Sequence, residues 1–458
     1  MSHFSKNGDL TQGPVRKHLI RMTIPMLWSI LSMISVQLVD TYYISRLGTE
    51  KLAAMSFTFP VVMIVFSLII GLGIATSSII ARKIGEKKHD EVIYITSHSI
   101  LLAVLAGGVM AVAGTLLIHP LFTMMGADET MMPMIRDYMG IWFAGCLVMA
   151  VPIVGNSAMR ATGDTIHPAI IMIGLSAINA VFAAILIFGM FGFPRMELRG
   201  AAFASILSYG IAAIASLCIL HFKKKMVFQG SLHLERFAGS AKTLLIIAVP
   251  IGLASIIQPV TQAIITAILA GYSMNAVAAF GVVTRVEAMA FVIMIALATG
   301  MSPIIGQNWG ANQFHRVKDT LGAALAFSTV WSLLVALAMA LFATPLAAIF
   351  SSDPGVIHYA ALYFWIVPVS YAAGNLVMGW SSAYNAIGQP KKALMMMVIK
   401  MIVLQIPMAL FLARLFGVVG VFGAIAGVNL VTGLFFHLRN WPELAQARPD
   451  IEIEARSS

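Results

Sequence analysis

Met33, Gln37 and Asp40 recur at the three- and four-residue spacing that puts side chains on one face of a helix, and Tyr43 or Ile44 continues the stripe. They lie in an apolar run, Ile20 to Ile44, whose only other charge is Arg21 at its start. A carboxylate at the centre of a membrane helix costs roughly 2.5–3.5 kcal/mol on insertion scales. Such acids are therefore rare, and they mark ion pathways, proton relays or ligand sites. A bland alternative stands beside that reading. Asp40 is nearer the outer end of its run, where it could reach the interface or satisfy a neighbour. Asn156 and Asn179 are polar side chains in later runs of the same half that could hydrogen-bond it, and each could equally be a packing contact. Pro25 stands fifteen residues before Asp40. An interior proline removes a backbone hydrogen bond and kinks a helix. One helix thus carries a potential hinge and a titratable group.

The elements that must position these residues follow from composition. The chain has 458 residues, 59% hydrophobic and only 10% charged. Soluble globular proteins carry about 25% charged residues, so this is a polytopic membrane protein. The net charge of +10 would suit a nucleic-acid partner in a soluble chain. Here it reflects basic loops on the inner side of a membrane, and no nucleic acid is expected. The two cysteines, Cys146 and Cys218, lie in apolar runs and imply no disulfide. The polar segment Met1 to Lys17 has no cleavable signal pattern.

Twelve apolar segments are each long enough to cross a bilayer as a helix, which needs about 20 residues. They cover approximately 18–45, 53–80, 93–118, 134–158, 166–191, 200–222, 243–270, 277–304, 319–343, 358–384, 392–414 and 418–438. An even count puts both termini on one side. Arg16, Lys17, Arg82, Lys83, Lys87, Lys88, Lys223 to Lys225, Arg316, Lys318, Lys391 and Lys392 then share that side, which the positive-inside rule makes the cytoplasm.

Sliding the chain on itself by 225 residues aligns Pro25 with Pro250, Gln37 with Gln262, Gly85 with Gly310 and Asp128 with Asp353. The same offset aligns Tyr138 with Tyr363 and Gly163 with Gly388. It spans six helices, so the halves share one orientation, as in the parallel repeats of several transporter folds. The expected organisation is an N-terminal segment 1–17, a first lobe 18–222, a linker 223–240, a second lobe 241–438 and a tail 439–458. Asp40 meets Ile265 across the repeat, so one lobe holds an acid that the other lacks.

The second half has its own polar residues at membrane depth: Gln258, Gln262, Arg285, Glu287, Asn375 and Lys400. With Met33, Tyr43 and Asn156 they are candidates for a substrate cavity. Glu287 could pair with Lys400 as a bridge between helices, or serve coupling or substrate binding. Arg285 and Glu287, two apart, do not face each other. There is no GxxxxGK[ST] phosphate loop, no HExxH or CxxC metal pattern, and no Gly-x-Ser-x-Gly elbow. An enzyme, an ATP-driven motor and a metal site are not expected.

The segments "VDTYYISRLGTEKLAAMSF", "SSIIARKIGEKKHDEV", "GMSPIIGQNWGANQFHRV", "MRATGD" and "YNAIGQ" resemble signatures of MATE (multidrug and toxic compound extrusion) transporters over nearly the whole chain. Within that family the sequence is similar to the DinF-like branch. The resemblance implies twelve helices in two six-helix bundles. It implies export of lipophilic, often cationic drugs or toxins in exchange for protons, with sodium possible and no cofactor. It matches Asp40 to the branch's first-helix acid, Pro25 to its bend-forming proline and Asn179 to its helix-five asparagine; Gln37 shares the face of Asp40. A second acid one turn after that asparagine is Ala183 here, which leaves fewer oxygens for sodium and favours the proton. The other bacterial branch uses acids in helices seven and ten. The nearest residues here are Gln258, Gln262, Tyr371 and Asn375, so that arrangement does not carry over. The resemblance further implies a place among membrane lipids in the bacterial inner membrane, and a monomer is expected because the repeat already supplies both halves of a cleft. A lipid-linked precursor flippase of the same superfamily is the alternative, disfavoured by the few buried basic residues.

Overall fold

A computed structural model describes residues 9–227 and 234–445. Parts of the expected N-terminal segment (1–8), linker (228–233) and tail (446–458) lie outside the described residues. Every regular element among the described residues is helical. The first half holds α1 (Val15–Ser45), α2 (Thr49–Gly85), α3 (His89–Met124), α4 (Met132–Ala161), α5 (Ile166–Phe188) and α6 (Glu197–Cys218). The second holds α7 (Leu234–Ala270), α8 (Met274–Gly310), α9 (Phe314–Leu341), α10 (Ala343–Phe350), α11 (Pro354–Ile366), α12 (Tyr371–Ala386), α13 (Pro390–Met397) and α14 (Ile406–Ala445).

Among the described residues, eleven continuous helical stretches are long and apolar enough to cross a membrane. The last of them, Pro390–Leu444, has 55 residues. At 1.5 Å per residue it would run about 80 Å, far beyond a hydrocarbon core of about 30 Å. It folds back on itself instead. Gly417 takes φ 59° and ψ −138°, a non-helical geometry open to glycine. A Cβ on Gly420 would overlap the carbonyl of Leu412, so the reversal is tight. The far ends then meet: Lys392 pairs with Glu443 at 3.6 Å, and Asn440 Nδ2 lies 3.8 Å from Met396 Sδ. The stretch is two spans, and the total is the expected twelve. The tenth span is itself interrupted by a 3-10 turn, Pro368–Ser370, between α11 and α12.

The residues that match at the 225-residue offset perform matching jobs. Asp128 Oδ1 accepts the amides of Thr130 (3.0 Å) and Met131 (2.9 Å) ahead of α4. Asp353 Oδ1 accepts those of Gly355 (2.7 Å) and Val356 (3.3 Å) ahead of α11. Asp353 is the carboxylate N-cap of α11, and Asp128 holds the turn just ahead of α4, where the Met131 amide also reaches the Asp128 carbonyl at 3.2 Å. Gly85 and Gly310 end α2 and α8. Gly163 and Gly388 are left-handed at φ 79° and 84° after α4 and α12. Lys87 and Asn312, also 225 apart, share φ near 60° at 60° and 58°.

The chain divides into two compact units. One is Ile24–Gly252; the other is Leu10–Thr23 together with the chain from Leu253. In the first, α4 packs on α2, α3 and α6, and α5 packs on α6. In the second, α12 packs on α8, α9 and α14. Close helix contact depends on small residues: a Cβ on Gly107 of α3 would stand 2.5 Å from the Cys146 carbonyl of α4.

Leu10–Thr23, the stretch leading into and opening α1, is thus part of the second unit. Leu10, Leu19 and Met22 are buried in its core. The Leu10 amide donates to Gln307 Oε1 (3.0 Å), and its carbonyl accepts from Asn308 Nδ2 (3.1 Å). Arg316 donates to the carbonyls of Leu10 (3.2 Å) and Gly13 (2.9 Å) and to Asn308 Oδ1 (2.8 Å). This strap occupies three polar side chains of "GQNWGANQFHR", Gln307, Asn308 and Arg316.

In the first unit a charged cluster ties the α4–α5 loop to the segment after α6. Asp164 pairs with Lys224 at 2.6 Å and with His167 at 2.7 Å, and Lys223 lies 2.8 Å from the other His167 ring nitrogen. Burial pushes the Asp164 carboxyl up, but the hydrogen bond and charge of Lys224, with His167 adding to them, outweigh it and leave it below its ordinary value. A depressed carboxyl contributes stability above its unfolded value of about 3.9 and loses it as pH falls through the folded value. Asp164→Asn is expected to cost about 1 kcal/mol at neutral pH. Thermal unfolding in detergent should show this gap closing below about pH 4, because only the wild type has the contribution to lose.

Candidate functional site

Asp40 lies in α1, and its Oδ1 is buried without a hydrogen-bond partner among the described residues. Its charge reaches two buried tyrosines of the same unit, Tyr138 on α4 and Tyr209 on α6. Phe66 of α2 packs its ring on Trp142 (5.8 Å) and on Tyr209 (6.2 Å), extending the aromatic wall. An acid that must live among aromatic side chains can be relieved by a proton, by a cation or by hydroxyl donors.

The register between α1 and α5 fixes what stands level with Asp40. Ser176 Oγ donates to the Ser32 carbonyl at 2.9 Å, and the Tyr43 and Phe188 rings meet at 5.7 Å. Both helices run the same way, so Asp40 is level with residues 184–185, next to the fully buried Ala183. Asn179 is about five residues, or roughly 8 Å, nearer the start of α5. The expected Asp40–Asn179 hydrogen bond is therefore not formed. Asn179 Nδ2 faces Ser205 Oγ of α6 at 3.4 Å, and its Oδ1 has no partner among the described residues. Asn156 on α4 is 1% exposed with both amide atoms unpartnered, and Ser216 Oγ of α6 is likewise unpartnered. An unsatisfied buried polar group costs about 1–3 kcal/mol, so such groups call for a functional explanation.

The rest of the α1 stripe is less enclosed. Met33 and Gln37 are exposed, and Tyr43 is half-buried. Pro25 sits inside a helix that runs unbroken from Val15 to Ser45. It follows by two residues the point where α1 passes from the second unit into the first.

The second-unit candidates do not gather into one site. Gln258, Gln262 and Arg285 are exposed. Asn375 Nδ2 donates to Ser332 Oγ at 2.8 Å. Lys400 is 8% exposed, on a π-helical stretch Val398–Gln405, and no ion pair reaches it among the described residues. The bridge from Glu287 to Lys400 is absent, because Glu287 Oε1 is occupied by the hydroxyls of Tyr363 (2.7 Å) and Tyr371 (2.6 Å). Sequence reasoning missed four tyrosines: Tyr138 and Tyr209 around Asp40, and Tyr363 and Tyr371 around Glu287. One signal for them existed, since Tyr138 and Tyr363 align across the repeat.

The family model MatE matches residues 25–185 and, a second time, residues 250–411, so each half carries one copy. The chain belongs to the MatE family. A Shewanella oneidensis protein named FAD transporter is 36% identical over 425 residues, covering 93% of this chain and 94% of that one. A probable multidrug resistance protein of Bacillus subtilis, YoeA, is 26% identical over 76% of each chain. Among solved structures, the Vibrio cholerae MATE transporter VcmN in its bent form superposes with TM-score 0.88 at 29% identity, covering 94% of this chain and 97% of that one. A VcmN mutant superposes with TM-score 0.89. The MatE chain described here is accordingly a multi-pass membrane transporter of small molecules and not an enzyme.

Tyr138→Phe removes a buried hydroxyl that feels the charge of Asp40 while keeping the ring. Uphill transport in vesicles should fall several-fold, with an unchanged melting temperature in detergent.

Proposed function

We propose that this MatE protein is a secondary active efflux antiporter of the DinF-like branch, exporting lipophilic, often cationic compounds in exchange for protons. The observation that carries the reading is the buried, unpartnered Asp40 oxygen in a tyrosine- and aromatic-lined part of the first unit. Ionised, Asp40 attracts a cation; protonated, it loses that pull. Neutralisation removes the charge that keeps α1 in place among its neighbours, and α1 then bends at Pro25. The start of α1 is strapped to Gln307, Asn308 and Arg316, so the bend swings the Asp40 arm and not the anchored end. One charge moving through 100 mV is worth about 2.3 kcal/mol, and each pH unit adds about 1.4 kcal/mol. For a neutral cargo the two add, and a single proton supports ratios of hundreds; for a monovalent cation exchanged one for one the charges cancel and each pH unit supports about tenfold. Ala183, where a second acid would stand, favours the proton over sodium. The protein works as a monomer in the bacterial inner membrane, both termini in the cytoplasm, without a cofactor.

A second reading concerns cargo. The Shewanella relative is named for FAD, an aromatic but anionic dinucleotide. Lys400, buried in the second unit with no ion pair among the described residues, favours an anionic cargo. Proteoliposomes given an inward-directed proton gradient separate the readings: ethidium and FAD are offered as probes, each with and without sodium. Movement of ethidium in sodium-free buffer is the expected result, FAD movement alone selects the anionic reading, and drive by sodium alone overturns proton coupling.

Asp40→Asn is expected to abolish uphill movement of either probe while the protein remains inserted and monodisperse; full efflux by this variant would remove Asp40 from coupling. Pro25→Ala should slow turnover several-fold more than it weakens probe binding, read from flux and fluorescence titration side by side.

A further inference from the structure

Glu287 is a carboxylate that the reading above leaves unused. Its position on α8 is about 20 Å from the start of the helix and about 35 Å from its end, which is membrane depth. One carboxylate oxygen accepts both the Tyr363 hydroxyl of α11 at 2.7 Å and the Tyr371 hydroxyl of α12 at 2.6 Å. Aromatic rings wall these phenols off: Phe291 meets Tyr371 at 4.8 Å, Phe422 meets Tyr363 at 5.0 Å, and Phe280 meets Tyr363 at 6.2 Å.

No cation neutralises the acid. Among the described residues no lysine, arginine or histidine forms an ion pair with Glu287. Among the described residues α9, α10, α11 and α12 pack on α8, and the opening of α1 packs on it at Gly300, about 20 Å along the helix from Glu287. The charged residues of α9, from His315 to Asp319, all lie in its first turns. The helix α10 has no ionisable side chain. The α11 helix offers Tyr363, Tyr359 one turn before it and an exposed His358, and α12 offers Tyr371, with Tyr384 about 20 Å further along. On α8 itself, Arg285 is exposed and two residues away, off the face of Glu287.

The arrangement answers the one around Asp40. Tyr363 holds the repeat position of Tyr138. In the first unit the acid comes from the first helix and its charge reaches Tyr138; in the second it comes from the second helix and accepts a hydrogen bond from Tyr363. The two halves kept the tyrosine and recruited the acid from different helices, at positions where the twin carries Ile265 in one case and Val62 in the other. Two phenols can hold the charged acid as donors, and one can turn to accept when the acid carries a proton. Such a site takes up and releases a proton without moving a helix.

We propose that Glu287, with Tyr363 and Tyr371, is a second proton-carrying site, so that each transport cycle moves a proton through the second unit besides the one on Asp40. This rests on proton-driven antiport as read above. The competing possibility is a static acid that only ties α8, α11 and α12 together.

Infrared difference spectra of the full chain in lipid, recorded as pH is stepped across about 5–8, report each protonated carboxyl by its own C=O stretch. The wild type should show two such bands. Asp40→Asn should lose one and Glu287→Gln the other, and Tyr371→Phe should shift only the second. A Glu287→Gln spectrum identical to wild type overturns the proposal. If Glu287→Gln does not give monodisperse protein, an unshifted spectrum of Tyr371→Phe overturns it. An unchanged spectrum of Asp40→Asn with the Glu287 band lost would instead sink the Asp40 reading and leave this one standing. In wild-type vesicles, the pH gradient that just halts the probe that moves should correspond to two protons per molecule, and a value of one overturns the second site.

Discussion

The constraint on which everything else depends is the absence of water in the hydrocarbon core. A polar atom there must find a partner within the protein or stay costly. Most of this chain obeys by simple means. Serines and threonines return their hydroxyls to carbonyls a turn back, as Thr76 does to Leu72 at 2.8 Å and Thr432 to Val428 at 2.6 Å. Against that background the exceptions stand out. Asp40, Asn156 and Asn179 keep unpartnered buried atoms in the first unit. One oxygen of Glu287 in the second is engaged by two phenols and, among the described residues, by no cation. The two units thus handle a buried acid in opposite ways, one leaving it open and the other holding it.

Much of the architecture was legible because membrane helices and duplications leave strong linear signals. Twelve apolar runs and the 225-residue offset that aligns Asp128 with Asp353 follow from residue type and spacing. The stripe of Met33, Gln37 and Asp40 on one face also follows from helical period. What spacing does not encode is the neighbour across a helix–helix contact. Asn179 was a reasonable partner for Asp40 by its place in α5, yet the level fixed by Ser32 against Ser176 puts Ala183 there instead. Lys400 and Glu287 have opposite charges and similar depth, but the tyrosines of α11 and α12 intervene. The interruptions at Pro368 and Gly417 were legible only in part: the pause between the last two apolar runs marked the second, and nothing marked the 3-10 turn within the tenth span.

The strap at the start of the chain was not foreseen. A short polar segment before a first membrane helix reads as a loop, and Leu10 as an ordinary apolar residue within it. Its burial rests on side chains nearly 300 positions away, Gln307, Asn308 and Arg316, which look like generic inner-loop residues in isolation.

That strap bears on how the duplicated chain came to be one molecule. A protein made by joining two equal halves should in principle be separable again at the join. Here it is not. The second half draws Leu10, Leu19 and Met22 of its core from residues encoded at the very beginning of the chain. Two fragments divided at the central linker would leave the later one with a gap in its packing that only the earlier one fills. The duplication is still visible in the helices, but the halves have since become unequal, and neither is a domain that could be inherited alone.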